Sequence, residues 1–236
     1  MTYSAFSGWA DRPTDFTPMP EGELTCDIAV IGDGYAGMAA ALRLAEHAAD
    51  VVLSESGFCG RGGSSRNAGY LPNALAGDPQ LLNTLYAHRL PGLVRYADEA
   101  ARFTEWLIGR PAVDCDYVPT GNVIAAVSPG QLRRTERYAG ILRRAGADAE
   151  FVEGRDFGLP HTFLGGVFER AGGLLNPGKF ALGLRAAPSR TASAAGRCRR
   201  RSADGRAPAA VSPPARCLLR RRGASGRPAR TPGSPP

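Results

Sequence analysis

The chain has 236 residues, enough for a sizeable buried core, with 29 Lys and Arg against 22 Asp and Glu and a net charge of +7. That charge is uneven: residues 188–236 hold 12 Arg and a single acid, Asp204, and so carry +11, which leaves −4 on residues 1–187. The basic balance therefore excludes a nucleic-acid or membrane-surface role for the body of the chain, because the excess charge lies outside it.

In chain order, residues 1–24 are polar and rich in proline, and read as an arm pinned by Phe6, Trp9 and Phe16. The run Cys26 to Ile31 is apolar and β-branched, as a buried parallel strand requires. It breaks at Gly32-Asp33-Gly34, and Tyr35 to His47 has helical spacing with Met38, Leu42 and Ala45 on one face. Asp50 to Glu55 reads as a second buried strand, completing a βαβ opening. Gly57 to Asn73 reads as loop. Asp78 to Ile108 is helical and divided by Pro91. Tyr117-Val118 and Asn122-Val123-Ile124 are β-like, Gln131 to Arg144 is helical, Ala149–Val152 and Phe163–Phe168 are strands, and a helix starts at Lys179.

Residues 188–236 hold Arg, Ala, Pro, Ser and Gly almost exclusively, and every Phe, Tyr and Trp lies before them. Such a segment buries too little apolar area to offset its ordering entropy, so a disordered tail is expected. Its residue types come from GC-rich codons, which points to a frameshift product or mispredicted end from about Pro188. The competing reading is a basic tail that binds nucleic acid through Arg199–Arg201 and Arg220–Arg222, although no aromatic side chain is interleaved for base stacking. The five cysteines, Cys26, Cys59, Cys115, Cys198 and Cys217, are odd in number and form no CxxC pair, against a disulfide framework and against a metal site. With no signal-peptide pattern and no apolar run long enough to cross a bilayer, the expected location is cytoplasmic.

Gly32-Asp33-Gly34-Tyr35-Ala36-Gly37 fits G-x-G-x-x-G between a strand and a helix. Gly32 permits the turn, Gly34 lets backbone amides approach a pyrophosphate, Gly37 permits close helix–strand packing, and the helix N-terminus attracts the anion. Glu55 ends the second strand, where a carboxylate accepts both ribose hydroxyls and disfavours a 2′-phosphate. These residues suit either an NAD or an FAD dinucleotide.

The next run, Gly60-Arg61-Gly62-Gly63-Ser64-Ser65-Arg66-Asn67-Ala68-Gly69, together with the βαβ unit, resembles the amino-terminal part of FAD-dependent oxidoreductases of the D-amino acid oxidase class, which includes glycine, sarcosine and γ-glutamylputrescine oxidases. Gly60, Gly62, Ser64, Arg66, Asn67 and Gly69 agree with its G-x-G-A-S-G-R-N-G-G run; Gly63 stands for the usual Ala, and Ser65 and Ala68 for Gly. The resemblance implies that Ser64 and Asn67 hydrogen-bond the cofactor and that Arg66 sits near the isoalloxazine. With Gly32, Gly34, Tyr35, Ala36, Gly37 and Glu55 they form the expected FAD site. It also implies oxidation of a small amine or amino acid by hydride transfer to flavin N5.

The implied fold is α/β: a partial Rossmann-like FAD-binding domain interleaved with part of an α+β substrate domain, over residues 25–187 (FAD core 25–75, helical and substrate-domain elements 78–187). Gly172 to Pro177 resembles the family's G-x-x-x-N-P run before a helix. The family continues beyond this point with a third parallel strand and a further half, so the chain reads as truncated after about Ala187, with weak or absent FAD binding. Three departures stand out: Asp33 in an Ala or Gly slot, where a carboxylate beside a pyrophosphate is unfavourable unless it turns outward; Ala48 in a helix-ending Gly slot; and Ser54 in an apolar one. His88, His161, Cys59 and Tyr70 carry no catalytic assignment, and Arg133, Arg134, Arg137, Arg143 and Arg144 read as a solvated helix face.

Overall fold

A computed structural model describes residues 8–11, 23–55, 57–58, 60–73, 77–186, 192–195 and 217–220. Phe6, Phe16, Cys59, Cys198 and most of the tail lie outside the described residues. The first apolar run divides in two. Strand β1 (Glu23–Cys26) pairs with a strand from the tail, and β2 (Ile28–Ile31) enters a different sheet. Asp27 makes the division: its own N–H and that of Ile28 both donate to the carbonyl of Asp50, while its carboxylate accepts from Asp50 N at 2.9 Å.

Beyond β2 the chain turns into α1 (Tyr35–Glu46) and returns as β3 (Val51–Glu55), parallel to β2 with Ile28 opposite Val51 and Ile31 opposite Ser54. The helix buries Met38, Ala41 and Leu42 against Val51 and Leu53, together with Leu107, Phe180 and Leu184 from later helices. Large side chains buried in this way contribute about 2 kcal/mol each. The helix ends through Ala48, whose φ of +61° lies in the left-handed region. A Cβ is strained there and glycine is not. Ala48→Gly is accordingly expected to raise stability by about 0.5–1 kcal/mol, read as a higher denaturant midpoint with an unchanged slope.

The region from Gly57 is not all loop. A single 3-10 turn spans Gly63–Ser65, and β4 (Tyr70–Pro72) follows. The helical stretch then divides into α2 (Pro79–Tyr86) and α3 (Leu90–Ile108). The break falls just before Pro91, which sits in the first turn of α3 where its missing N–H costs nothing. Asp78 caps α2, accepting from Gln80 N at 2.8 Å, and Ser128 caps α4 (Pro129–Arg144), accepting from Gln131 N at 3.3 Å.

Strand β5 (Asn122–Ala126) and β6 (Ala149–Glu153) flank β7 (Gly165–Glu169) in an antiparallel sheet of order β5-β7-β6. That sheet is covered by α3 and α4 through Leu90, Val94, Ala139, Leu142 and Val167. The exposed arginines of α4 form a solvated face.

Strand β8 (Gly172–Leu174) pairs antiparallel with β4, and α5 (Pro177–Ala186) follows, with Asn176 Oδ1 accepting from Lys179 N at 3.0 Å. The β4–β8 pair has no sequence signature, because each strand has only three residues and both lie in glycine-rich text. Beyond residue 187 the described segments are β9 (Ala192–Ala195), parallel to β3, and β10 (Cys217–Arg220), antiparallel to β1. The alanine-rich text offered no reason to expect a strand here, yet β9 gives the parallel sheet the order β2-β3-β9. Among the described residues no helix is long and apolar enough to cross a membrane.

Candidate functional site

The carboxyl end of the parallel sheet meets the amino end of α1, and Gly32, Gly34, Tyr35, Gly37, Glu55 and Ser64 meet at that junction. Gly32, at φ +98°, makes the turn that no L side chain adopts easily, and its N–H donates to Ser54 O at 2.7 Å. Gly37 must lack a Cβ, since one would collide with the carbonyl oxygen of Gly32. Helix α1 has Gly34 at its N-cap, no side chain capping it and no acid in its first turn.

Tyr35 N donates to Ser64 Oγ at 3.0 Å and Met38 N to Gly34 O at 3.0 Å. The amides of Ala36 and Gly37 are left at this end as donors for an anion. A Cβ on Gly34 would come within 3.1 Å of Ser64 Oγ. The residues therefore fit a pyrophosphate: two free amides at the helix end, a cradle that a side chain would narrow, and no carboxylate in the helix's first turn.

Glu55 closes the other side. Its Oε1 accepts from Gly57 N at 2.9 Å and its Oε2 from Asp33 N at 3.2 Å, which holds the carboxylate at the strand end where a ribose is expected. Asp33 does not turn outward. It is only 3% exposed and lies beside Glu55, to which its backbone N–H donates. Burial first, and Glu55 second, push its pKa up to about 7.

The Gly60–Gly69 run wraps against this junction. Gly60 N donates to Asp33 O at 3.3 Å, and Gly60 sits at φ +71° with the Cβ of Ala181 2.8 Å from where its own would be. Ser65, fully buried, donates to Gly60 O at 2.6 Å; sequence reasoning passed over it because serine in glycine-rich text reads as surface. The Asn67 side chain folds onto its own loop: Nδ2 donates to Gly63 O at 3.2 Å and Ser64 O at 2.9 Å, and Oδ1 accepts from Gly69 N at 2.9 Å. Arg66 is exposed. Trp9 ties the amino-terminal arm here, its Nε1 donating to Asn67 O at 3.0 Å while its carbonyl accepts from Asn176 Nδ2 at 3.0 Å.

Behind the loop lies an apolar cavity of about 390 Å³. Tyr35, Ala36 and Ala39 of α1 form one side, and Tyr70, Phe103 and Phe180 contribute to the others. The Tyr35 hydroxyl donates to Pro177 O at 2.8 Å and its ring tilts against Phe180 at 4.9 Å, so burial raises its pKa to about 12 and it stays neutral. His88 and His161 are exposed, on the α2–α3 link and the β6–β7 link.

Residues 27–210 match the DAO family, the FAD dependent oxidoreductases, and the chain belongs to that family. It is 30% identical over 191 residues to γ-glutamylputrescine oxidoreductase of Escherichia coli (strain K12), covering 77% of this chain and 43% of that protein. The structure resembles L-proline dehydrogenase from P. horikoshii (TM-score 0.54, 15% identity, 75% of this chain and 45% of that one). It also resembles glycine oxidase from Geobacillus kaustophilus (TM-score 0.50, 23% identity, 73% and 45%). The chain spans less than half the length of each of these relatives.

Proposed function

We propose that residues 25–187 are the dinucleotide-holding portion of an FAD-dependent oxidoreductase acting on a small amine or amino acid. The observation that carries this reading is the junction itself: the bare amino end of α1, the glycine turn, Glu55 at the strand end and Ser64 bridging from the second glycine run. The order β2-β3-β9 with α1 as crossover supports a Rossmann-like half-domain, in which the ligand sits at the carboxyl ends of the strands. Family membership supports FAD over NAD, and the relatives named for an amine, an amino acid or proline support the substrate class.

In this reading the amides of Ala36 and Gly37 bind the pyrophosphate, Glu55 accepts the ribose hydroxyls, and Ser64 holds the second glycine run against α1. The apolar wall of Tyr35, Ala36 and Tyr70 excludes water from one side of the site. FAD, when bound, supplies the acceptor for a hydride from the C–H next to the substrate nitrogen, and the resulting imine hydrolyses in water. Because Asn67 is committed to its own loop, few described side chains remain to grip a flavin ring, and weak uptake is expected. Titrating the purified chain into FAD and following flavin fluorescence checks this. Saturable binding is expected for the wild type, at least tenfold weaker in Gly34→Val, whose side chain fills the cradle. Saturable binding of NAD without any binding of FAD would instead favour a nicotinamide-linked domain.

A further inference from the structure

The inward carboxyl of Asp33 is unexplained by the cofactor reading, since a carboxylate in a glycine turn opposes the anion the turn is built to hold. Two acids here cannot both ionise cheaply. Asp33 is 3% exposed and its N–H donates to Glu55 Oε2 at 3.2 Å, so a buried carboxyl stands beside a second acid, and the pair is cheapest with one proton held there. We propose that Asp33 is a nucleotide-binding determinant that works as the neutral acid: with one proton held between Asp33 and Glu55 the turn accepts a pyrophosphate-bearing nucleotide, and loss of that proton to solvent turns the site against it. The proposal rests on the FAD reading above.

Polar and charged groups surround the pair, some favouring its proton and some opposing it. From β3 comes Glu55, the partner acid. From the following loop come the Gly60 amide, which lowers the Asp33 pKa, and Arg61, whose side chain lies over Gly57 beside Glu55. From α5 comes Arg185, which also lowers it, though less than burial and Glu55 raise it. Helix α1 adds no acid in its first turn. Burial and the neighbouring acid thus outweigh the cations, and the pair keeps its proton up to about pH 7.

The two phosphates of FAD are diesters with a constant charge through neutral pH, so any pH dependence of binding belongs to the protein. FAD affinity of the wild-type chain is expected to fall by up to about tenfold per pH unit between pH 7 and 9, as one extra proton must be held for binding. Asp33→Asn and Asp33→Ala, which carry no proton to lose, are expected to bind with the same affinity across that range. In cofactor-free protein carrying Glu169→Gln, which removes the other buried acid of raised pKa, infrared spectroscopy should find a protonated-carboxyl stretch that titrates near neutrality and is lost when Asp33→Asn or Asp33→Ala is added. Parallel pH profiles in wild type and variants, or no such infrared band, would overturn the proposal. Failure of wild type and variants to bind FAD at any pH, with the infrared band present, would instead sink the FAD reading and with it the role in binding.

Discussion

Glu169→Gln is expected to make the chain more stable at pH 8 and to flatten its dependence on pH. Glu169 ends β7, is only 4% exposed, and stands opposite Asn122 in the β5–β7 register. Its Oε2 and the Oδ1 of Asn122 are both buried without a hydrogen-bond partner, while Asn122 Nδ2 is spent on Leu71 O and Ala171 O. A buried patch with two surplus acceptors favours the neutral acid, which supplies a donor. Burial accordingly pushes the Glu169 pKa from 4.5 up to about 7.

The direction of the effect follows from linkage. Below about pH 4.5 both folded and unfolded chains hold this proton and its contribution is fully present. Between 4.5 and 7 the unfolded chain releases it first, so stability falls as pH rises; above 7 the loss is complete. Each pH unit between those two values costs about 1.4 kcal/mol, so the loss is roughly 3 kcal/mol at most. Asp33 titrates in the same direction and remains in the variant, so the slope is reduced rather than abolished. Urea unfolding at pH 5 and pH 8 reads it directly: equal pH slopes in wild type and Glu169→Gln would show that the buried carboxyl does not hold its proton.

The second large effect is expected at Gly37. A methyl group there meets the carbonyl oxygen and carbon of Gly32, both backbone atoms that no side-chain rotation can move aside. Gly37→Ala must push α1 away from β2, and a destabilisation on the order of 3 kcal/mol is expected, at the upper end of overpacking costs because no flexible atom can yield. FAD uptake should fall with it, since the helix end and the glycine turn lose their register. Gly63→Ala is the contrasting case. Nothing lies within 4 Å of the added methyl group, and alanine is the residue the family uses there, so stability should change by less than about 0.5 kcal/mol or rise slightly. If Gly37→Ala unfolded at the wild-type midpoint, close contact between helix and turn could not be the reason for that glycine.

What was legible in the amino-acid sequence was local. The strand within Cys26 to Ile31, the glycine turn, the helical spacing of Met38 and Leu42 and the acid at Glu55 each follow from backbone conformation and side-chain period within a few residues, although the run divides at Asp27 and Ile31, expected buried, is 73% exposed. The capping of α2 by Asp78, and the first-turn prolines of α2, α3 and α4, belong to the same class. So does the positive φ at Ala48, signalled by a family glycine.

Other features rest on contacts between residues far apart in the chain, and only the tertiary structure decided them. The pairing of β4 with β8 joins segments about a hundred residues apart through three-residue strands with no pattern of their own. The hydrogen bonds of the Asn67 amide to the carbonyls of Gly63 and Ser64, within its own loop, were likewise unreadable from residue types. Asp33 was read as unfavourable beside a pyrophosphate unless it turned outward. It lies inward beside Glu55, 22 residues away, and burial and that neighbour push its pKa up to about 7. Glu169 has no signal of its own in the sequence; the sheet sets it opposite Asn122. Secondary structure answers to neighbours along the chain, whereas protonation answers to neighbours in space, and no reading of residue types alone reports how much water a fold removes from a carboxyl group.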